Sequence, residues 1–233
     1  MKKRAVFFDF GGTLLVMRRD RIISRILTGN GYSATADEVR SAYFAVEPGW
    51  LFAYGHRILT PAESEESYRQ LDALVFRHLF PGSSGAEAER LSHLMRKMWP
   101  EVQESIPLEL YPDAEPTLRR LSNAGFKLAL VSNAPPDVAG TVSDLGLQKY
   151  FPVVVVSGVV GVSKPNPDIF RIALRGTGAQ PGEAVHVGDL YDADVKGATN
   201  AGVTGILLDR YGSYGDMGCP KISGLEGIYD FLE

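Results

Sequence analysis

Four side chains in this sequence could do chemistry together: Asp9, Ser132, Lys164 and Asp189. Asp9 ends the apolar run Ala5-Val6-Phe7-Phe8, and Ser132 ends the run from Lys127 to Val131. Lys164 follows the run Val153 to Val156 in a Gly/Pro loop, and Asp189 follows the run Ala184 to Val187. Parallel strands put their ends on one rim, so the four would share a constellation of two carboxylates, a hydroxyl and an ammonium. Two close carboxylates repel unless a cation sits between them. A hard divalent ion with oxygen ligands and open water positions fits, which favours Mg²⁺. Lys164 then offers a second positive charge and Ser132 a hydrogen bond. Together they suit an anionic, phosphate-sized group, and Asp9 could attack phosphorus as a carboxylate nucleophile. Each residue alone has a plainer reading. An Asp after a strand is commonly a turn residue, Ser132-Asn133 before Pro135-Pro136 is a helix start, and a loop Lys is commonly solvated. The ordered set outweighs these single readings.

The elements that would position this set follow from hydrophobic pattern. Ala5 to Phe8 reads as a strand buried on both faces that runs into the turn Gly11-Gly12. No convincing strand follows for about a hundred residues. Helix signals fill the gap: a capping box at Thr35 to Glu38 with Val39, Ala42, Tyr43 and Val46 behind it, and a second start at Thr60-Pro61-Ala62-Glu63. Tyr68, Leu71, Val75 and Leu79 continue that second helix, and Leu91, Leu94, Met95 and Met98 form a third stripe. From about Pro107 the pattern alternates. Helices are expected over 115–124, 136–145, from Asn166-Pro167 to about 175, and over 193–201. Strands are expected over 127–131, 153–156, 184–187 and 205–208. Alternation of this kind implies a parallel sheet of an α/β fold. The first strand therefore belongs with the second half of the chain. Residues 1–15 and 108–233 are expected to form one core, and 16–107 a helical insert. Ligands of open α/β sheets sit at the carboxyl ends of the strands, so an insert leaving there would act as a lid.

Composition bounds the remaining possibilities. The chain has 233 residues, 45% hydrophobic and 22% charged, which are globular values that exclude collagen-like and disordered classes. A net charge of −4 provides no basic field for nucleic acid. The single cysteine, Cys219, rules out an internal disulfide and a four-thiolate zinc site, and fits a reducing compartment. The basic start Met1-Lys2-Lys3-Arg4 is followed by only four apolar residues, too few for a signal peptide. The apolar stretch Val153 to Val162 is interrupted by Ser157, Gly158 and Gly161, so no membrane span is expected. The expectation is a cytoplasmic protein whose partner is a small phosphorylated substrate rather than nucleic acid or membrane.

Four segments carry a family resemblance. Phe7-Phe8-Asp9-Phe10-Gly11-Gly12-Thr13-Leu14 resembles the first motif of the haloacid dehalogenase (HAD) superfamily. Val131-Ser132-Asn133-Ala134, Ser163-Lys164-Pro165-Asn166-Pro167 and the stretch Val187 to Ala198, which includes Gly188-Asp189 and Asp194, resemble the second, third and fourth. They occur in the family's order, and the insert sits where its C1-type cap sits. The resemblance implies a Rossmann-like parallel sheet with a helical cap inserted after the first strand. It also implies hydrolase activity, through a phosphatase reaction with an aspartyl-phosphate on Asp9. By the same resemblance Ser132, Lys164 and the main-chain N–H groups near Asn133 and Ala134 would bind phosphate. Asp9, the Gly11 carbonyl, Asp189 and Asp194 would hold Mg²⁺, with Asp194 a ligand or an outer anchor, and Thr13 would hold the turn.

One position departs from the family pattern. Phosphatases of this family usually carry an Asp two residues after the nucleophile as general acid/base, and here that residue is Gly11. Losing such a group typically costs about 10² to 10⁴ in rate. Another group could replace it, with Asp192, His186, Tyr54 and His56 as candidates, although a strand histidine such as His186 is more commonly packed core. Trp50, Phe52 and Tyr54 could face a substrate or pack internally. A phosphonatase would need an insert lysine, and Lys97 is the only one between residues 16 and 107. Gly188-Asp189 and Asp194 argue against a dehalogenase. A weakly active or non-catalytic protein that binds phosphate and Mg²⁺ in a regulatory role is the remaining alternative.

Overall fold

The computed structural model describes residues 2–16, 18–54 and 61–232, without the side chains of 47–54, 61, 62 and 64. The chain divides into two compact units, Met1–Val16 with Glu109–Glu233, and Met17–Leu108.

The first unit is a six-stranded parallel sheet in the order β3-β2-β1-β4-β5-β6. Its strands are β1 (Ala5–Phe8), β2 (Lys127–Ser132), β3 (Val153–Val156), β4 (Ala184–Gly188), β5 (Thr204–Leu208) and β6 (Lys221–Ile222). Alternate side chains of each strand go to opposite faces. Val6, Phe8, Leu128, Leu130, Val185, Val187, Ile206 and Leu208 share one core with Leu118 and Leu121. Ala5, Phe7, Ala129, Val131, Val155 and Ala184 share another with Ile169, Phe170 and Ala173. Burial on both faces is why these strands read as unbroken apolar runs.

The strand order makes β1 central. The chain moves outward from β1 to β2 and β3, then crosses back to place β4 on the other side of β1. The carboxyl ends of β1 and β4 thus flank the switch point of the sheet, where open α/β folds bind ligands.

The second unit is made of α1 (Arg19–Gly29), α2 (Ala36–Tyr54), α3 (Pro61–Leu79) and α4 (Gly85–Glu104). Its core includes Ile22, Ile26, Leu27, Val39, Leu71, Val75, Phe76, Leu91 and Met95. The capping box forms as expected: the Thr35 main-chain N–H donates to Glu38 at 2.8 Å, and the Glu38 N–H to the Thr35 hydroxyl at 3.2 Å. Ser84 caps α4 by accepting from the Glu87 N–H at 3.1 Å. Helix α1 went unread in the sequence because its N-cap, Arg18, supplies no capping side chain. Buried Asp20 on α1 accepts two hydrogen bonds from Arg40 on α2, at 2.9 and 2.7 Å.

The remaining helices of the sheet unit are α5 (Ala114–Asn123), α6 (Val138–Asp144), the single turn α7 (Ser157–Val160), α8 (Pro167–Thr177) and α9 (Gly197–Asn200). The helix expected over 193–201 begins earlier, as a π-helical stretch over Tyr191–Lys196 that leads into α9. Such wide turns are frequent at functional sites. No described helix is long and apolar enough to cross a membrane.

Candidate active site

Asp9 is the first residue past β1, and its N–H extends the ladder by donating to the Val187 carbonyl at 2.9 Å. Ser132 is the last residue of β2 and is buried. Asp189 is the first residue past β4. Lys164 lies in the loop between α7 and α8, before a cis bond to Pro165. The sheet therefore brings all four sequence-derived residues to one end.

Lys164 is the hub. Its buried Nζ donates to Asp9 Oδ1 at 2.5 Å and to Asp194 Oδ1 at 2.6 Å. Its backbone is gripped by Asn133, whose Oδ1 accepts from the Lys164 N–H at 2.7 Å while Nδ2 donates to the Lys164 carbonyl at 2.8 Å. The Asn133 side chain is thus spent on locating the lysine, which leaves its main-chain N–H as the part a phosphate could use. The Ala134 N–H is also engaged, donating to Ser157 Oγ at 3.0 Å.

Asp194 sits in the π-helical turn, fully buried. Its Oδ1 takes Lys164 Nζ and His186 Nε2, the latter at 2.9 Å, and its Oδ2 accepts from the Leu190 N–H at 3.0 Å. Sequence reasoning placed His186 in the core, and it is buried there, edge-on to Phe170 with ring centroids 4.9 Å apart. Its hydrogen bond to Asp194 was missed. The available signal was parity: residue 186 points to the same face as Ala184, where α8 packs.

Burial sets the electrostatics, and the partners then decide direction. Burial alone would lower the Lys164 ammonium, but Asp194 and Asp9 outweigh it and hold the lysine above its ordinary value. Burial would raise Asp194, yet Lys164 and the His186 contact hold it below the usual carboxylate range. Asp9 is pushed up by burial, with Lys164 opposing and Asp194 reinforcing. His186 is pushed down by burial, with its Asp194 contact opposing.

Asp9, Asp189 and Asp194 each offer a carboxylate oxygen, all within 4.8 Å of one another. Counted as ionised against one ammonium, the three carboxylates leave two negative charges in a largely buried site. That all-oxygen donor set and that deficit fit a hard divalent cation. Asp194 already accepts three hydrogen bonds, so most of its capacity goes to holding Lys164 and the turn. Two glycines make room for the carboxylates. A Cβ on Gly12, whose φ is +82°, would lie 2.1 Å from Asp189 Oδ2, and one on Gly188 would lie 2.1 Å from Asp194 Cγ.

Gly11 lies in the turn after β1, bridged to Leu15. Thr13 is wholly buried; its carbonyl accepts from Arg210 at 2.9 Å, while its Oγ1 has no partner among the described residues. Asp192 is paired with Lys196 at 2.5 Å. Lys97 is exposed on α4. His56 and the side chains of Trp50, Phe52 and Tyr54 lie outside the described residues.

Comparison with known proteins identifies the family. A family profile described as haloacid dehalogenase-like hydrolase matches residues 3–202. A phosphoserine phosphatase of Thermus thermophilus is 35% identical over 193 residues, covering 77% of this chain and 76% of that protein. A glyceraldehyde 3-phosphate phosphatase of Methanopyrus kandleri is 44% identical over 111 residues, 47% of each chain. Among solved structures, a HAD phosphatase of Thermococcus onnurineus aligns over 98% of this chain and 97% of its own, with TM-score 0.59 and 27% identity. The Bacillus subtilis protein YfnB, solved bound to magnesium, aligns over the full length of both chains with TM-score 0.72 and 20% identity, a likeness of fold. With a family profile over most of its length and a phosphatase relative 35% identical over three quarters of both chains, this chain belongs to the haloacid dehalogenase-like hydrolases.

Proposed function

We propose that this hydrolase is a Mg²⁺-dependent phosphatase that acts on a small phosphorylated metabolite through an aspartyl-phosphate on Asp9. The observation that carries the reading is the buried Lys164 ammonium held between Asp9 and Asp194, with Asp189 completing a carboxylate cluster. The phosphatase names of the Thermus and Methanopyrus relatives support the substrate class. Asp9 Oδ attacks phosphorus, the P–O bond to the leaving group breaks, and the acyl phosphate is then hydrolysed, returning the carboxylate and releasing inorganic phosphate. Lys164 offsets charge on Asp9 and the phosphoryl oxygens, and Ser132 donates its hydroxyl to one of them. The Asn133 N–H supplies a main-chain donor. Asp9, the Gly11 carbonyl and Asp189 would hold Mg²⁺, with Asp194 contributing its remaining Oδ2 lone pair or anchoring from outside. When bound, the ion balances the site's excess negative charge and that of the phosphoryl group.

Residues 16–107 act in this reading as the cap that selects substrate, and the protein works in the cytoplasm. Gly11 brings no acid/base side chain, so the leaving group is protonated by another residue or departs as an anion.

The test is phosphate release from a panel of phosphoesters and acyl phosphates, with Mg²⁺ and with EDTA, beside Asp9→Asn. Metal-dependent release that Asp9→Asn abolishes is expected. Release that persists in Asp9→Asn overturns the nucleophile assignment. Absence of release from every substrate overturns the phosphatase reading.

A further inference from the structure

His186 is a fully buried, nucleophilic side chain that the mechanism above leaves unused. It lies in the middle of β4, on the face shared with α8, and its ring stands edge-on to Phe170 at an interplanar angle of 75°. Among the described residues its side chain's only hydrogen bond goes from Nε2 to Asp194 Oδ1, while Nδ1 is buried without a partner. An ionised carboxylate only accepts, so the imidazole must donate, which makes it the Nε2–H tautomer. That same oxygen, Asp194 Oδ1, takes the Lys164 Nζ that also reaches Asp9.

We propose that His186 is a positioning residue: by donating Nε2–H to Asp194 Oδ1 it fixes the carboxylate that holds Lys164 against Asp9. The geometry explains why one oxygen receives two donors. Asp194 Oδ2 is tied to the turn by the Leu190 N–H, which leaves the carboxylate free to rock about that contact. Lys164 pulls Oδ1 from the active-site side and His186 pulls it from the α8 side. Removing His186 leaves Lys164 as the only donor on Oδ1, and the pair then shifts together. The apolar contact with Phe170 sets the ring plane, so the pull has a fixed direction. An imidazole that only filled core space would not need its one hydrogen bond directed at the lysine's anchor. The activity arm of this proposal rests on the Asp9 phosphatase reading; its spectroscopic arm does not.

Two variants and one spectrum test it. His186→Leu keeps bulk and loses the donor; His186→Gln places an amide N–H where Nε2 sits. With p-nitrophenyl phosphate and Mg²⁺, His186→Leu is expected to lose about 10- to 100-fold in kcat, the usual effect of an outer-shell partner, with a smaller change in KM. His186→Gln is expected to recover most of that loss. A leucine variant as active as the parent overturns the proposal, and so does a glutamine variant no better than leucine. Asp9→Asn is run alongside: if it keeps its turnover, the phosphatase reading fails, and the tautomer decides for His186. A long-range ¹⁵N–¹H spectrum of the unmodified protein should show His186 protonated at Nε2 and bare at Nδ1. Protonation at Nδ1 alone overturns the proposal irrespective of activity or of how the variants fold.

Discussion

Gly188→Ala tests whether Asp194 is pinned. The added Cβ would stand 2.1 Å from Asp194 Cγ, 2.3 Å from Oδ2 and 2.5 Å from Cβ. Those atoms belong to a carboxylate held by Lys164, His186 and the Leu190 N–H, so it cannot step aside without breaking hydrogen bonds. Either β4 shifts or Asp194 leaves its partners. Overpacking a well-filled site costs about 1–3 kcal/mol. Losing one hydrogen bond to a charged group costs about 1.5–3 kcal/mol. The two together come to about 2.5–6 kcal/mol, and at about 2–4 °C per kcal/mol for a chain of this size Tm should drop by about 5–24 °C. Turnover should fall about 10- to 100-fold, because Lys164 loses its anchor. Scanning calorimetry and phosphate release measure both. Gly140→Ala is the matched control. It lies in α6 at a position where an added Cβ meets nothing within 4 Å, so it should hold or gain about 0.5–1 kcal/mol. If Gly188→Ala matches the parent in Tm and rate, Asp194 is mobile and the account of the site collapses.

Other perturbations probe separate parts of the molecule. Lys164→Met leaves two buried carboxylates without their ammonium; about 3–5 kcal/mol of stability should be lost with all turnover, and a denaturant melt with near-parent stability would count against the hub. Mg²⁺ should raise Tm and EDTA reverse it, as expected for a cation that binds only the folded state; a Tm indifferent to both argues against a metal at the three carboxylates. Ser84→Ala should cost about 1 kcal/mol through loss of the α4 cap, read as a shift in urea midpoint at unchanged slope. Asp113 concerns pH. Partial burial would raise it, but two hydrogen bonds from Arg210 at 2.9 Å and one from the Leu225 N–H at 2.8 Å hold it below the usual carboxylate value. A carboxyl depressed on folding stabilises above its unfolded value of about 4 and loses that contribution as pH falls through the folded value. Asp113→Asn should therefore cost about 1–3 kcal/mol at pH 7, with the gap to the parent closing below about pH 4. A gap that stays constant down to acid pH would contradict the pairing.

The strand ends were legible because burial on two faces leaves a plain trace: Ala5 to Phe8 and Ala184 to Val187 are unbroken apolar runs, and the polar residue closing each run is a strand end. The large helices of the second unit were legible where a cap announced them, as Thr35 does, or where an apolar stripe ran long, as from Leu91 to Met98. Helix α1 carries Ile22, Ile23, Ile26 and Leu27 at helical spacing, but Arg18 gives no start signal. Strand β6 has two residues, too few for a period. Within the site, residue types suggested chemistry but not division of labour. Nothing local to Asn133 says that its amide grips the Lys164 backbone, or that His186 finds Asp194 rather than water. Those are contacts between segments that only the sheet order brings together, and a pattern read along one chain carries no record of them. The π-helical turn was hidden for a related reason, since Tyr191 to Lys196 has the composition of an ordinary helix start.

The way the chain leaves and re-enters the sheet unit has a consequence for how the protein can change. Val16 donates to the Glu109 carbonyl at 2.8 Å, Tyr111 to the Leu14 carbonyl at 2.9 Å, and Leu15 bridges Leu110 in antiparallel fashion. Within the helical unit, Arg18 near its start donates to the Gln103 and Ile106 carbonyls near its end. Both units thus present their two connections as adjacent ends. A disordered excursion of about 90 residues would charge the sheet about 4 kcal/mol in closure entropy, rising only logarithmically with length. A folded insert whose own ends already meet relieves most of that. Damage inside the helical unit can therefore pass at most a few kcal/mol to the sheet through the connection, and replacing the whole insert by a short turn is thermodynamically permissible. The junction acts as a socket: the ladder of Leu14, Leu15 and Val16 with Glu109, Leu110 and Tyr111 closes the sheet unit on itself, and the Arg18 contacts close the helical unit on itself.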